Sequence, residues 1–198
     1  MIDLEILPGR IEGPLAVASV FGREAPLEIE IGIGKGRFIL QEAERRPETD
    51  FLGLEWSLKH LRLAKERAQK RGLTNVRFHR ADAKHVLADL IPAGSAFRVH
   101  VYCPDPWPKK RHHKRRLFDE ATTRHLERVL VPGGFLHVST DVAGYFEVLI
   151  ATIAAATRLQ RAEDPLFPAA AAEGKTNYET KYLAAGRRIH RAVFMRPR

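Results

Sequence analysis

Apolar and polar positions first fall into a clear pattern at Leu27, where apolar residues alternate with glutamates over residues 27–31, ahead of Gly32, Gly34 and Gly36. A helical period follows to about Glu44, so this stretch predicts a strand, a glycine turn and a helix. Residues 50–55 predict a second strand. Ser57 is placed to cap a helix over residues 58–71, and Gly72 ends it. Further strands are predicted over residues 75–80, 97–102 and 135–140. Between the last two lies a helix over residues 114–130, with Phe118, Ala121 and Val129 on one face, stopped by Pro132, Gly133 and Gly134. A covering helix over residues 145–157, a strand near 159–162 and a strand over 189–195 complete the pattern. Residues 165–173, with their alanine run, read as a mobile connector, and residues 1–26 carry turn signals without identifiable chemistry.

Alternating strands and helices imply an α/β fold with a mostly parallel sheet and right-handed crossovers. The late strands lack a clear helix between them, which suggests an antiparallel edge hairpin. With 198 residues, 44% of them hydrophobic, and no repeat or linker, the chain reads as one domain over residues 1–198 with its core in 27–195.

The glycines bring backbone N–H groups close to a nucleotide-like ligand. Arg37 stands where a dinucleotide fingerprint needs its third glycine, which counts against NAD. Glu55 lies 19 residues past Gly36, the position at which doubly wound folds present a carboxylate to ribose hydroxyls. Its competing reading is a carboxylate at the start of the next helix. Asp82 closes the third predicted strand, so Glu30, Glu55 and Asp82 form a set of acids at strand ends.

Residues 102–116 read YCPDPWPKKRHHKRR. Pro104, Pro106 and Pro108 lack backbone N–H groups, so a stiff loop must follow the strand. Six cations then occur within the eight residues 109–116, a density suited to a phosphate backbone, although a solvated charged run is the bland alternative. The formal charge of +9 is uneven: residues 1–50 sum to −4 and the remainder carries the excess. No apolar run approaches the roughly 18 residues of a membrane span, and nothing at the N-terminus resembles a secretory signal. Cys103 is the single cysteine, so no internal disulfide forms and a reducing cytoplasm is the expected location. The histidines show no metal-ligand spacing: His112 and His113 are adjacent. Cys103 has no arranged base in the sequence and reads as a small buried hydrophobe.

A nucleoside-type cofactor held by Gly32, Gly34, Gly36, Glu55 and Asp82, beside a basic loop bearing Asp105 and Trp107, remains. S-adenosylmethionine fits better than ATP, because facing acids suit a sulfonium and repel a triphosphate, and the phosphate-binding Gly-x4-Gly-Lys-Ser/Thr loop is absent. The residues alone lead to a nucleic-acid methyltransferase. Two rivals stay open: a methyltransferase acting on an amino group, given the partial likeness of Asp105-Pro106-Trp107 to Asp-Pro-Pro-Tyr, and a cofactor-free RNA-binding protein.

PDPWPKKRHHKRR, the EIGIGKG turn, STD at residues 139–141 and TNYETKY at 176–182 together resemble the bacterial tRNA (guanine-N7)-methyltransferase family over residues 27–194. That resemblance implies a Rossmann-like sheet of seven strands, the last antiparallel, and a guanosine of the tRNA variable loop as substrate. It implies cofactor contacts from Glu30, Glu55, Asp82 and Asp105, with Asp105 also catalytic. Lys109, Asp141, Thr176, Asn177, Tyr178 and Glu179 would meet the substrate. Arg111, His112, His113, Lys114, Arg115 and Arg116 would meet RNA. No obligate protein partner is evident. The segment before Leu27 is shorter than in many members.

Overall fold

A two-residue strand, β1 (Glu5–Ile6), and a short helix, α1 (Val17–Phe21), come first in the computed structural model, which describes residues 5–6, 14–167 and 176–198. Then β2 (Leu27–Ile31), α2 (Arg37–Arg45), β3 (Asp50–Leu54), α3 (Leu58–Lys70) and β4 (Val76–His79) alternate as the pattern predicts. After α4 (Ala83–His85) and a π turn at Val86–Leu90 come β5 (Ala96–Tyr102), a 3-10 turn at Lys110–Arg115 and α5 (Glu120–Val129). The chain closes with β6 (Leu130–Thr140), α6 (Ala143–Ala156), β7 (Gln160–Arg161), α7 (Asn177–Ala184) and β8 (His190–Met195).

The strands build one sheet in the order β1-β4-β3-β2-β5-β6-β8-β7. All neighbours are parallel except where β8 meets β6 and β7. The seven strands from β2 onward carry the expected architecture, with β8 antiparallel and the two-residue β7 outside it; β1 is an addition at the far edge. Strand order reverses between β2 and β5, and a crevice opens at such a point because the following crossovers diverge to opposite sides. Both faces of the sheet are covered, so β2 and β3 are buried at every position. On one face α2 and α3 pack Ile39, Leu40, Leu61 and Ala64 against Phe51 and Phe78. Helices α5 and α6 bring Leu126, Val129, Leu149 and Ile153 into the larger cluster with Val99, Val101 and Val138.

Two boundaries differ from the sequence pattern. Helix α5 begins at Glu120, not near residue 114, because Asp119 supplies a cap, its Oδ1 accepting from Thr122 N at 2.8 Å. Its buried face is Thr122, Thr123, Leu126 and Val129, while Ala121 is exposed. The Pro132-Gly133-Gly134 stretch lies inside β6, where it bends the ladder instead of preceding it. Gly134 is required there, since a Cβ would stand 2.9 Å from Val131 O and 3.1 Å from Phe97 O. The expected connector at 165–173 falls partly outside the described residues.

A polar layer unannounced by the hydrophobic pattern lies within this frame. Glu28, on β2 and 1% exposed, accepts from Arg46 Nη2 at 2.9 Å and Arg98 Nη1 at 2.9 Å, and contacts His100 Nε2 at 3.0 Å. Asp164 takes Arg98 Nε at 2.7 Å and meets His137 Nε2 at 3.0 Å, so residues just before the undescribed segment are tied to the sheet. The His100 and His137 rings stack at 4.9 Å. Burial alone would raise the Glu28 carboxyl, yet the bonds from Arg46 and His100 hold it well below the usual carboxylate range. Removing one member leaves the other charges buried and uncompensated, so Glu28→Ala should destabilise the protein by about 3–5 kcal/mol. Equilibrium chemical denaturation measures this, and a variant within about 1 kcal/mol of wild type would show that the layer is energetically idle.

Candidate active site

The crevice is a cleft of about 450 Å³ at the carboxyl ends of the central strands, walled by Gly32 and Gly34, by Glu55, by the loop from Cys103 to Trp107, and by Asp141. A second cleft of about 380 Å³ adjoins it, between the glycine turn and Thr176, Asn177 and Tyr178. Gly32, Gly34 and Gly36 all have positive φ, at 76°, 53° and 76°. A Cβ on Gly36 would also stand 2.9 Å from the Ala64 Cβ, so α2 and α3 pack at this distance only with glycine there.

Glu55 holds this turn in place. Its Oε2 accepts from Gly34 N at 2.8 Å and its Oε1 from Ser57 N at 2.8 Å. Glu55 serves the start of α3, as its competing sequence reading has it, and it also lines the cleft. Glu30 lies behind the turn and lines neither cleft. It is fully buried, accepts from Ile39 N at 3.2 Å, and is pushed up to about 8 by burial, with Glu55 and Glu179 raising it further. Asp82 is exposed and caps α4, accepting from Lys84 N at 2.9 Å, and it too lies outside the linings of both clefts.

The loop after β5 is strained as well as stiff. Cys103 and Trp107, at φ 50° and 42°, are the only non-glycine residues with positive φ among those described. Cys103 N donates to Ser139 O at 2.8 Å; its side chain is half-buried on the cleft wall, less enclosed than the sequence reading had it, and burial pushes the thiol up to about 12. Asp105 is exposed and Trp107 half-buried on the cleft wall.

Six cations that look alike in sequence separate into two groups here. Arg116 braces the loop from inside, donating from Nε to Pro106 O at 2.8 Å with its guanidinium 5.1 Å from the Tyr145 ring. Arg115 lies over Trp107 at 5.0 Å, and the His112 ring meets the same indole edge-on at 5.6 Å. Lys109, Lys110, Arg111 and Lys114 are exposed, as is His113. The expectation that all of residues 111–116 face RNA is thus narrowed: Arg116 already serves the loop.

Thr176 caps α7, accepting from Glu179 N at 3.1 Å. Glu179 is fully buried, accepts from Ser139 Oγ at 2.7 Å and pairs with Arg191 at 3.4 Å, so it anchors α7 to β6 and β8. Of the four residues in this group, Asn177 and Tyr178 line the second cleft openly and Thr176 lies buried beside them. Thr-x-x-Glu at 176–179 is a capping signature that would have located α7 from sequence. Tyr182 and Arg187 also line the main cleft, and sequence reasoning missed both. Arg187 Nη1 donates to Asp141 Oδ2 at 2.7 Å.

Several solved structures share this architecture. The aminoglycoside resistance methyltransferase NpmB1 aligns with a TM-score of 0.62 at 22% identity, covering 91% of each chain. The 16S rRNA (adenine(1408)-N(1))-methyltransferase from Catenulisporales acidiphilia, solved with cosubstrate SAM, aligns at 0.62 with 17% identity over 91% of this chain and 90% of that one. Fold and crevice thus define a Rossmann-like α/β domain. A family model described as "Putative methyltransferase" matches residues 24–192. The tRNA (guanine-N(7)-)-methyltransferase of Alkalilimnicola ehrlichii is 40% identical over 89% of this chain and 75% of its own length. That of Thermus thermophilus is 40% identical over 98% of this chain and 61% of its own. The chain belongs to the tRNA (guanine-N7)-methyltransferase family.

The buried Glu30 makes a prediction about pH. Its folded value lies above the ordinary 4.5, so the stability it allows is fully present below about pH 4.5 and is lost as pH rises through about 8. Glu30→Gln keeps an acceptor for Ile39 N–H and removes the titration. The variant should lose less melting temperature than wild type between pH 5 and pH 8, and parallel curves for the two proteins would place the titrating group elsewhere.

Proposed function

We propose that this chain transfers a methyl group from S-adenosylmethionine to N7 of a guanosine in the variable loop of tRNA. The observation that carries the reading is the shared wall of one cleft. Gly32, Gly34 and Glu55 face the same space as Asp105 and Trp107, while the outer side of that loop exposes Lys109, Arg111, His113 and Lys114.

The cleft suits a sulfonium nucleoside. Glu55, Asp105 and Asp141 line it, and its two arginines are engaged, Arg115 on Trp107 and Arg187 on Asp141. When bound, S-adenosylmethionine supplies an electrophilic methyl group on a positively charged sulfur. Each Glu55 oxygen accepts one backbone N–H and keeps a lone pair for a ribose hydroxyl. Guanine N7 exposes its own lone pair, so the chain's task is alignment more than proton removal. Asp105 orients the base and stabilises the positive charge that develops on the purine. Trp107, stiffened by Arg115 and His112, offers a stacking face. The exposed cations hold RNA phosphates, while Asn177 and Tyr178 act from the second cleft; Thr176 and Glu179 act by positioning α7. Glu30 supports the turn from behind, and Asp82, one strand beyond Glu55 and outside both cleft linings, would be on the adenine side of a bound cofactor.

No helix among the described residues is long and apolar enough to cross a membrane. The proposed tRNA substrate supports a cytoplasmic location. Incubation of unmodified tRNA with protein and S-adenosylmethionine should yield N7-methylguanosine by nucleoside mass spectrometry. Absence of that nucleoside, with other methylated products or none, would overturn the reading.

Asp105→Asn preserves shape and removes charge. Single-turnover methylation should slow by on the order of 10²–10³ while tRNA affinity stays near wild type. Wild-type speed would reduce Asp105 to a turn residue. Arg111→Ala with Lys114→Ala should flatten the log–log salt dependence of tRNA binding by about 0.9 per lost duplex contact, or about 0.7 in a single strand. An unaltered slope would remove these side chains from the phosphate contacts.

A further inference from the structure

We propose that Arg187 is the positioning residue that makes the cleft selective for guanine, acting through Asp141. This rests on the reading of the cleft as the guanosine site. Two observations meet at Arg187. Its Nη1 donates to Asp141 Oδ2 at 2.7 Å, and its guanidinium lies 5.0 Å from the centre of the Tyr182 ring. The Asp141 side chain is 9% exposed and that of Arg187 58%, so the carboxylate is fixed in one orientation by a cation that reaches it from the open side. Asp141, Tyr182 and Arg187 all line the main cleft.

The chemistry of guanine gives this pair a purpose. A free arginine beside guanine takes O6 and N7 together, the commonest specific contact to that base. Such a contact would occupy the lone pair that must accept the methyl group. Both arginines of the cleft are held away from that role, Arg115 by the face of Trp107 and Arg187 by Asp141 and Tyr182. What the pair presents is a carboxylate. Guanine alone among the four bases offers two adjacent donors, N1–H and the N2 amino group, on its Watson–Crick edge, and unstacked bases in RNA loops are read on that edge. A carboxylate held at that edge selects guanine while N7, on the opposite side of the purine, stays open to the donor. Arg187 keeps one Asp141 oxygen engaged and leaves Oδ1 to the base; without it the carboxylate rotates and its contact with the N2 amino group is lost.

The test uses the full chain and two tRNAs, one with guanosine and one with inosine at the target position. Inosine keeps N7, O6 and N1–H and lacks the N2 amino group. Wild type should prefer guanosine by on the order of tenfold in kcat/KM, the usual value of one hydrogen bond to a charged acceptor. In Arg187→Met the preference should collapse toward unity, mainly through a higher KM on the guanosine substrate, with S-adenosylhomocysteine affinity and the circular dichroism spectrum unchanged. Arg187→Lys, which retains a cation for Asp141, should restore part of the preference. A variant that loses the same factor on both tRNAs, or that keeps the wild-type preference, overturns the proposal and leaves Arg187 as a tether between β6 and the end of α7. Failure of wild type to methylate either tRNA would instead strike the reading of the site itself.

Discussion

The crevice depends on two acidic side chains that accept from backbone N–H groups. Glu55 holds Gly34 and Ser57, and Glu30 holds Ile39, so the turn after β2 is fastened both from the neighbouring strand and from beneath. Backbone N–H groups at a helix start are costly to bury without acceptors, and a carboxylate is the strongest acceptor a side chain offers. The arrangement has an electrostatic consequence. Burial, with Glu55 and Glu179 adding to it, raises Glu30 to about 8.

The opposite wall is built on strain. Cys103, just before Pro104, and Trp107, between Pro106 and Pro108, adopt left-handed backbone conformations, and Arg116 offsets part of that cost by bonding to the Pro106 carbonyl from within. One basic block thereby does two jobs: Arg116 and Arg115 shape and stiffen the wall, and the cations on the outer side stay solvated. The division leaves the cleft with arginines that already have partners, Arg115 on Trp107 and Arg187 on Asp141, and leaves exposed cations on the rest of the block.

At the other end of the same strands the buried layer of Glu28, Arg46, Arg98, His100, His137 and Asp164 binds four elements through paired charges. It links β2, α2, β5 and β6 to the segment at residues 164–167, with Phe167 seated edge-on near both histidines at 5.2 and 5.5 Å. Phe167 is buried with Phe38 and Tyr102, and Thr176 caps the start of α7.

Periodicity and punctuation made the strand–helix alternation legible from sequence, and with it the glycine turn, the Ser57 cap, the stiff proline loop and the positions of Glu55 and Asp105 at strand ends. These features are local: each follows from residues within a few positions of one another, through φ restrictions, caps and side-chain period. Pairing partners could not be read this way. Lys109 through Arg116 look equivalent in sequence, yet contacts with Trp107, Pro106 and Tyr145 decide which of them are free. Glu28 and Glu30 occupy equivalent places in an alternating strand, and only the neighbouring strands settle that one lies among arginines, far below the usual carboxylate range, and the other among carboxylates, at about 8. Asp141 and Arg187 are 46 residues apart, brought together by an antiparallel return after α7 that no local pattern encodes. Sequence determined which elements form and which acids stand at their ends; tertiary structure decided which charges face one another, because Coulombic interaction depends on distance and burial, and both are set only when the sheet assembles.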